Sequence, residues 1–497
     1  MLFNSPIFLF AFLPITLLLY FVLGRYAVRA ARLWLAAASL FFYAWWNPPY
    51  LILLTISIVF NYGAGYLLQF RERVPFALPP AKTVLILGLA FNLGFLGYFK
   101  YSDFFLQNLN ELAGTDFVLT HVALPLAISF FTFQKIAYLV DSYLGKVKEK
   151  SFLNYVLFAA FFPQLIAGPI VHYSEIFPQF KLRETYRFQW ENFTRGATLF
   201  LLGLAKKVVL ADEFARYSDV VFAGAQNGAA ISLAAAWVGA LSYTLQLYFD
   251  FSGYSDMAIG LAKMFNVDLP LNFFSPYKAG SIIEFWRRWH MTLSRFLRDY
   301  VYIPLGGNRH GEVKRYRNLF ITMLVGGIWH GAGWTYVIWG ALHGTMLALN
   351  HLWDSKVARP GPPFLYRAAG HLLTLSVVVC GWVIFRSPSM HAARWVFEGM
   401  VGRSGAYLPD QVLNVLPFLR HFFTGLGQVP FLGDSTVMGS FEILVMLLMG
   451  YAIVFLAPNI YQMSRRQRLA VVALSFAFTF QKIVFAGSMS PFLYFQF

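Results

Sequence analysis

The chain has 497 residues, 58% of them hydrophobic and only 12% charged, with a positive mean hydropathy. A soluble globular domain carries charged residues at about one quarter, so this balance excludes that class and describes a polytopic membrane protein. The formal net charge of +16 does not imply nucleic acid, because Lys and Arg cluster between apolar spans, as the positive-inside bias requires.

The first element is an apolar run over residues 7–24, preceded by a terminus with no basic stretch and followed by no small-residue cleavage pattern. It is expected to be retained as a span and not removed as a signal. Further spans are predicted at 33–46, 50–69, 83–99, 121–140, 152–170, 196–212, 230–249, 317–330, 334–351, 368–386, 440–457 and 469–486. Several fall short of the roughly 20 residues a straight crossing needs, which predicts re-entrant pieces, burial among helices or a locally thin bilayer. Arg25, Arg29 and Arg32 follow the first span, and Arg71, Arg73 and Lys82 precede the fourth. This places the N-terminus outside and these cations, with Lys146, Lys148 and Lys150, on the cytoplasmic side. Residues 402–439 form a long connection of mixed polarity. With no repeat and no linker rich in Ser or Pro, a single domain over residues 1–497 is expected, with a catalytic core near 120–350. The lone cysteine, Cys380, permits no intrachain disulfide.

Asp250 and Asp256 stand in the apolar stretch Phe249-Asp-Phe-Ser-Gly-Tyr-Ser-Asp256. They are expected to pair with the arginines near 287 or to cap a helix broken at Gly253, a proton relay being the sharper reading. Residues 283–300 read as one basic amphipathic helix along the cytoplasmic interface. At about 100° per residue Arg287, Arg288, Arg295 and Arg298 share one side, and His290 lies at its edge. The bland alternative for these arginines is solvation by lipid headgroups.

Two histidines, His290 and His330, each follow a tryptophan in an aromatic and glycine-rich region. An imidazole suits general-base work because its ordinary pKa of about 6.5 lies near working pH. The alternative for His330 is a buried ring satisfied by a carbonyl. His343, within Gly340-Ala-Leu-His-Gly344, falls in a small-xxx-small pattern and is assigned to helix packing. Metal-ligand spacings and phosphate-binding glycine loops are missing, so no metal is expected.

Several motifs together resemble the membrane-bound O-acyltransferase family, and within it the bacterial branch of alginate O-acetylation and teichoic-acid D-alanylation membrane proteins. They are Leu124-Pro-Leu-Ala-Ile-Ser-Phe-Phe-Thr-Phe-Gln134, Phe162-Pro-Gln-Leu-Ile-Ala-Gly-Pro169, Leu247-Tyr-Phe-Asp-Phe-Ser-Gly-Tyr-Ser-Asp256, Phe285-Trp-Arg-Arg-Trp-His290, Gly327-Ile-Trp-His-Gly331 and the terminal segment 491–497. The alginate branch is the better match. The resemblance implies an all-α arc or ring of transmembrane helices, with re-entrant and interfacial helices around a thinned centre. It makes His330 the catalytic residue and His290 the second family histidine. It implies acetyl transfer from a cytoplasmic donor, acetyl-CoA, across the inner membrane toward an exported polysaccharide, alginate foremost. No cofactor is permanently bound. The arginine face at 287, 288, 295 and 298 is then the candidate for the CoA phosphates, and a periplasmic or membrane-anchored partner with a Ser-His-Asp site completes the transfer. Another surface glycan is the runner-up acceptor, and a transporter or flippase the competing class, since broken helices and intramembrane carboxylates also suit a substrate pathway.

Overall fold

The computed structural model describes the chain except for residues 46, 76, 358–363, 406–440, 486–489 and 494–497. The long connection expected over 402–439 and the end of the terminal motif therefore lie mostly outside the described residues. The described residues form helices and no strand, the arrangement expected where water cannot satisfy backbone groups. Among the described residues, five helices are long and apolar enough to cross a membrane: Phe8–Tyr26, Pro48–Gln69, Ala81–Ala113, Phe364–Arg386 and Arg465–Phe485. The fold class, an all-α polytopic membrane protein, is as the sequence predicts.

Two expected spans take other shapes. Residues 121–127 are not helical, and the helix there runs Ile128–Tyr143. The span at 152–170 splits into Phe152–Ala160 and the short Phe162–Leu165, with Phe161 extended between them. Pro163 has no N–H with which to continue the ladder through this point. By contrast Gly253 does not break its helix, which runs unbroken over Leu233–Met264.

The chain divides into two compact units. The first comprises Met1–Ala205, Gly253–Asn272 and Arg468–Phe497, and the second Lys206–Ser252 and Phe273–Gln467. In the first unit the helix Trp190–Ala205 meets the segment 253–264 along a glycine seam. A methyl built on Gly203 would fall 2.5 Å from the Gly253 carbonyl oxygen, and one on Gly196 would fall 2.5 Å from that of Gly260. Here backbone packs on backbone, the close approach that small residues permit between helices in lipid.

The second unit contains a helical hairpin, Glu312–His330 followed by Trp334–Lys356. Its helices run antiparallel and meet at Gly327, Gly340 and Gly344. A methyl on Gly340 would fall 2.6 Å from the Met323 carbonyl oxygen, and one on Gly344 would fall 2.9 Å from the Phe320 Cα. The small-xxx-small pattern at 340–344 is thus a packing face, as expected, and it fixes what the hairpin carries at its turn.

Candidate active site

His330 is the last residue of the first hairpin helix, and the chain leaves it through extended Gly331 and Gly333. A methyl on Gly331 would collide with the Tyr336 ring, so the turn closes only around a glycine at this position. The imidazole is 5% exposed and is walled by aromatic rings: Trp329, Trp339 and Phe385 lie with centroids 4.9, 5.0 and 5.1 Å away, all close to edge-on. Such a wall excludes water and lowers the local dielectric, which strengthens any charge interaction made by the ring.

His290 reaches the same tryptophan from another element, its centroid 6.3 Å from that of Trp329. It also lies perpendicular to Phe251 at 4.7 Å. The backbone at His290 is left-handed, with φ +42°, between the helices Ile282–Arg288 and Met291–Leu297. The single amphipathic helix expected over 283–300 is therefore two short helices set at a corner. The corner turns His290 inward to 1% exposure instead of leaving it at the edge of a basic face. Burial pushes this imidazole, which lies outside the apolar spans, below its ordinary pKa and favours the neutral ring.

The corner also separates the four arginines. Arg287 and Arg288 end the first short helix, Arg295 lies in the second, and Arg298 opens the π-helical turn Arg298–Tyr302. Arg288 pairs with Glu284 at 2.5 Å and Arg298 with Asp299 at 2.7 Å, while Arg287 is exposed. The continuous basic stripe expected from the helical wheel is not formed.

His343 belongs with this cluster to a degree that its packing assignment did not foresee. The hairpin turn brings it to Trp339, 4.8 Å between centroids, so that His330 and His343 share one indole. The Trp286 indole N–H donates to His343 Nδ1 at 3.3 Å. In the neutral ring the proton then sits on Nε2, which lies 2.9 Å from where a Gly381 methyl would be.

Of the two carboxylates expected to find a cation, Asp250 has a lysine for a partner. Asp250 accepts from the Lys207 ammonium at 2.7 Å, and Lys207 also pairs with Asp212 at 2.8 Å. Lys207 lies in a π-helical turn, Lys206–Ala211, a distortion that recurs at functional positions. Asp256 is buried in the other unit. Lys207, Trp339 and Phe385 were not singled out from the sequence. The signal for Lys207 was available, as a Lys-Lys pair directly after an apolar run that a carboxylate elsewhere in apolar surroundings could complement.

A helical, multi-pass membrane protein with three imidazoles, His290, His330 and His343, buried in one aromatic cluster is the class these features define. The sequence profile of the membrane-bound O-acyltransferase family, MBOAT, matches residues 92–385. The chain is 43% identical to the peptidoglycan O-acetyltransferase of Helicobacter pylori, with 100% of this chain and 98% of the relative covered. It is 45% identical to the probable alginate O-acetylase AlgI of Pseudomonas aeruginosa over 80% of this chain and 75% of the relative. It is 28% identical to the teichoic acid D-alanyltransferase of Streptococcus thermophilus over 52% of this chain and 68% of the relative. The chain belongs to the membrane-bound O-acyltransferase family, in the branch that holds the alginate O-acetylases, and is an O-acyltransferase enzyme.

Proposed function

We propose that this O-acyltransferase takes acetyl from a cytoplasmic thioester, acetyl-CoA, and passes it across the inner membrane toward an exported polysaccharide. The observation that carries the reading is His330, held nearly water-free at a helix end by three aromatic rings. In this reading the neutral imidazole takes the proton of an incoming hydroxyl as its oxygen attacks the thioester carbonyl. The C–S bond breaks, and the imidazolium returns the proton to the departing thiolate. His290 supports this ring through their shared Trp329. Arg287, Arg288, Arg295 and Arg298 are proposed as CoA phosphate contacts, made from the two short helices and the turn after them, not from one face.

Alginate is the first proposed acceptor, on the likeness to the alginate O-acetylases. Peptidoglycan is a second reading, favoured by the end-to-end match to a peptidoglycan O-acetyltransferase. In either case a periplasmic or membrane-anchored partner with a Ser-His-Asp site would receive the acetyl group and finish the transfer, because this chain has no Gly-x-Ser-x-Gly elbow. The test is release of free CoA thiol from acetyl-CoA by purified protein in vesicles, supplied with membrane extract as acceptor. Wild type should release thiol and His330→Ala should not. Movement of a solute without thioester cleavage would replace the proposal with a transporter.

A further inference from the structure

A cleft of about 1070 Å³ opens in the first unit between the end of the first membrane span and the segment that follows the helix Tyr173–Lys181. One wall is apolar, from Leu17, Leu18, Phe21 and Val22. The other carries Lys181, Arg183 and Arg187, and Arg25 and Arg32 complete a lining of five cations with no carboxylate.

The cations divide into two kinds. Arg32 is committed internally: its guanidinium donates to Tyr186 Oη at 2.9 Å, to Asn154 Oδ1 at 3.3 Å and to the Phe180 carbonyl at 2.6 Å. Arg25, Lys181, Arg183 and Arg187 are exposed, and none of them makes an ion pair among the described residues. The two walls are tied together beneath them. Tyr20 Oη donates to the Thr185 carbonyl at 3.1 Å, and a methyl on Gly24 would fall 2.5 Å from the Tyr186 carbonyl oxygen. The concavity is thus built by packing, and four positive charges without an ion pair among the described residues are held around it at some cost in mutual repulsion, the Lys181 ammonium lying over the Phe177 ring at 4.2 Å.

Its apolar wall continues outward along a helix long enough to cross the membrane, where Leu18 is 64% and Val22 40% exposed. Exposed Phe188 and Trp190 stand beside it, Phe188 edge-on to Phe21 at 5.4 Å, as aromatic anchors do at headgroup level. By the positive-inside rule Arg25 and Arg32 face the cytoplasm.

We propose that this cleft is a binding site for an anionic phospholipid of the cytoplasmic leaflet. The headgroup phosphate is held by Arg25, Arg183, Arg187 and Lys181, and an acyl chain lies along Leu18 and Val22. Lipid is chosen over a soluble phosphate because the apolar wall runs on into the lipid-facing surface of a membrane helix, where an acyl chain is the natural complement.

The experiment uses full-length protein, delipidated in neutral detergent, with lipid binding followed by native mass spectrometry and by thermal unfolding. The probes are phosphatidylglycerol, phosphatidylcholine, inorganic phosphate and CoA. Wild type should bind and be stabilised by phosphatidylglycerol, and Arg183→Gln/Arg187→Gln should weaken that binding roughly tenfold or more, at about 1 kcal/mol for each cation near a lipid phosphate. Arg465→Gln/Arg466→Gln, which removes two exposed cations outside the cleft, should leave it unchanged. An equal loss in the control pair would reduce the effect to general surface charge and overturn the proposal. So would equal binding of phosphatidylcholine, or displacement of the lipid by phosphate or CoA, the last assigning the cleft to a soluble phosphate ligand. If the double variant unfolds without lipid, Lys181→Gln/Arg183→Gln carries the same expectation.

Discussion

Replacing Lys207 with methionine tests whether the ion triad holds the second unit together. The ammonium is 1% exposed, 2.7 Å from Asp250 and 2.8 Å from Asp212. Methionine keeps the length of the side chain and removes both charge-assisted hydrogen bonds, so a local charge of −1 becomes −2 with no cation between the carboxylates. Removing one member of a buried pair costs about 3–5 kcal/mol, because the remaining charge stays desolvated. Asp250→Asn is milder: Lys207 keeps Asp212, and the amide oxygen still accepts, so a loss of about 1–2 kcal/mol is expected. The double variant Lys207→Met/Asp250→Asn removes the stranded charge on Asp250 and should recover roughly 1–3 kcal/mol over Lys207→Met alone, as coupled neighbours do. Heat unfolding in micelles, read by tryptophan fluorescence, should therefore rank Lys207→Met below the double variant and the double variant below wild type. The reasoning fails if Lys207→Met melts with wild type, or if the double variant melts below Lys207→Met.

Loss of a general base costs about 10²–10⁴-fold, so His330→Ala should lower thioester cleavage by that factor with the protein still folded; a tenfold change or less would remove His330 from the chemistry. Trp286→Phe takes the donor from His343 Nδ1 and should cost about 1 kcal/mol in thermal unfolding, the worth of a typical buried hydrogen bond. Gly203→Ala places a methyl against the Gly253 carbonyl and should destabilise by about 1–3 kcal/mol as overpacking does, whereas Gly63→Ala, which meets nothing within 4 Å, should be neutral or stabilising in the same measurement. His290 has a folded pKa depressed by burial, so below the ordinary value of about 6.5 the unfolded chain binds the proton first. Its contribution to stability is full above that pH and is lost as pH falls toward the folded value. His290→Gln should flatten this acid limb of the unfolding profile, and an unchanged limb would assign it to other groups.

The spans were legible because lipid imposes a long apolar signal, and the motif histidines because Trp-His in such surroundings is costly and rare. What escaped was set by contacts distant in sequence. The corner at His290 is marked by no Gly or Pro; a left-handed backbone there is stabilised by the aromatic packing around it, so a wheel drawn through 283–300 joined two helices that do not join. Asp250 was recognised as needing a cation, but its partner lies 43 residues before it, in a Lys-Lys pair that reads locally as an ordinary flank of a membrane span. His343 reads as a packing residue from the small residues Gly340 and Gly344 around it. The turn at Gly331 and Gly333 reverses the chain, and the His330 and His343 imidazoles meet the same indole.

The glycine seam between 196–203 and 253–260 leaves Gly196, Gly203 and Gly260 with choices of one sign only. Elsewhere in a core a residue can be trimmed or enlarged, and a loss at one site offset by a gain opposite. Nothing is smaller than the hydrogen that faces each carbonyl here, so every replacement adds bulk and no compensating trim exists across the contact. The seam is therefore where a library of variants should be thinnest, and where drift among descendants of this chain has least freedom.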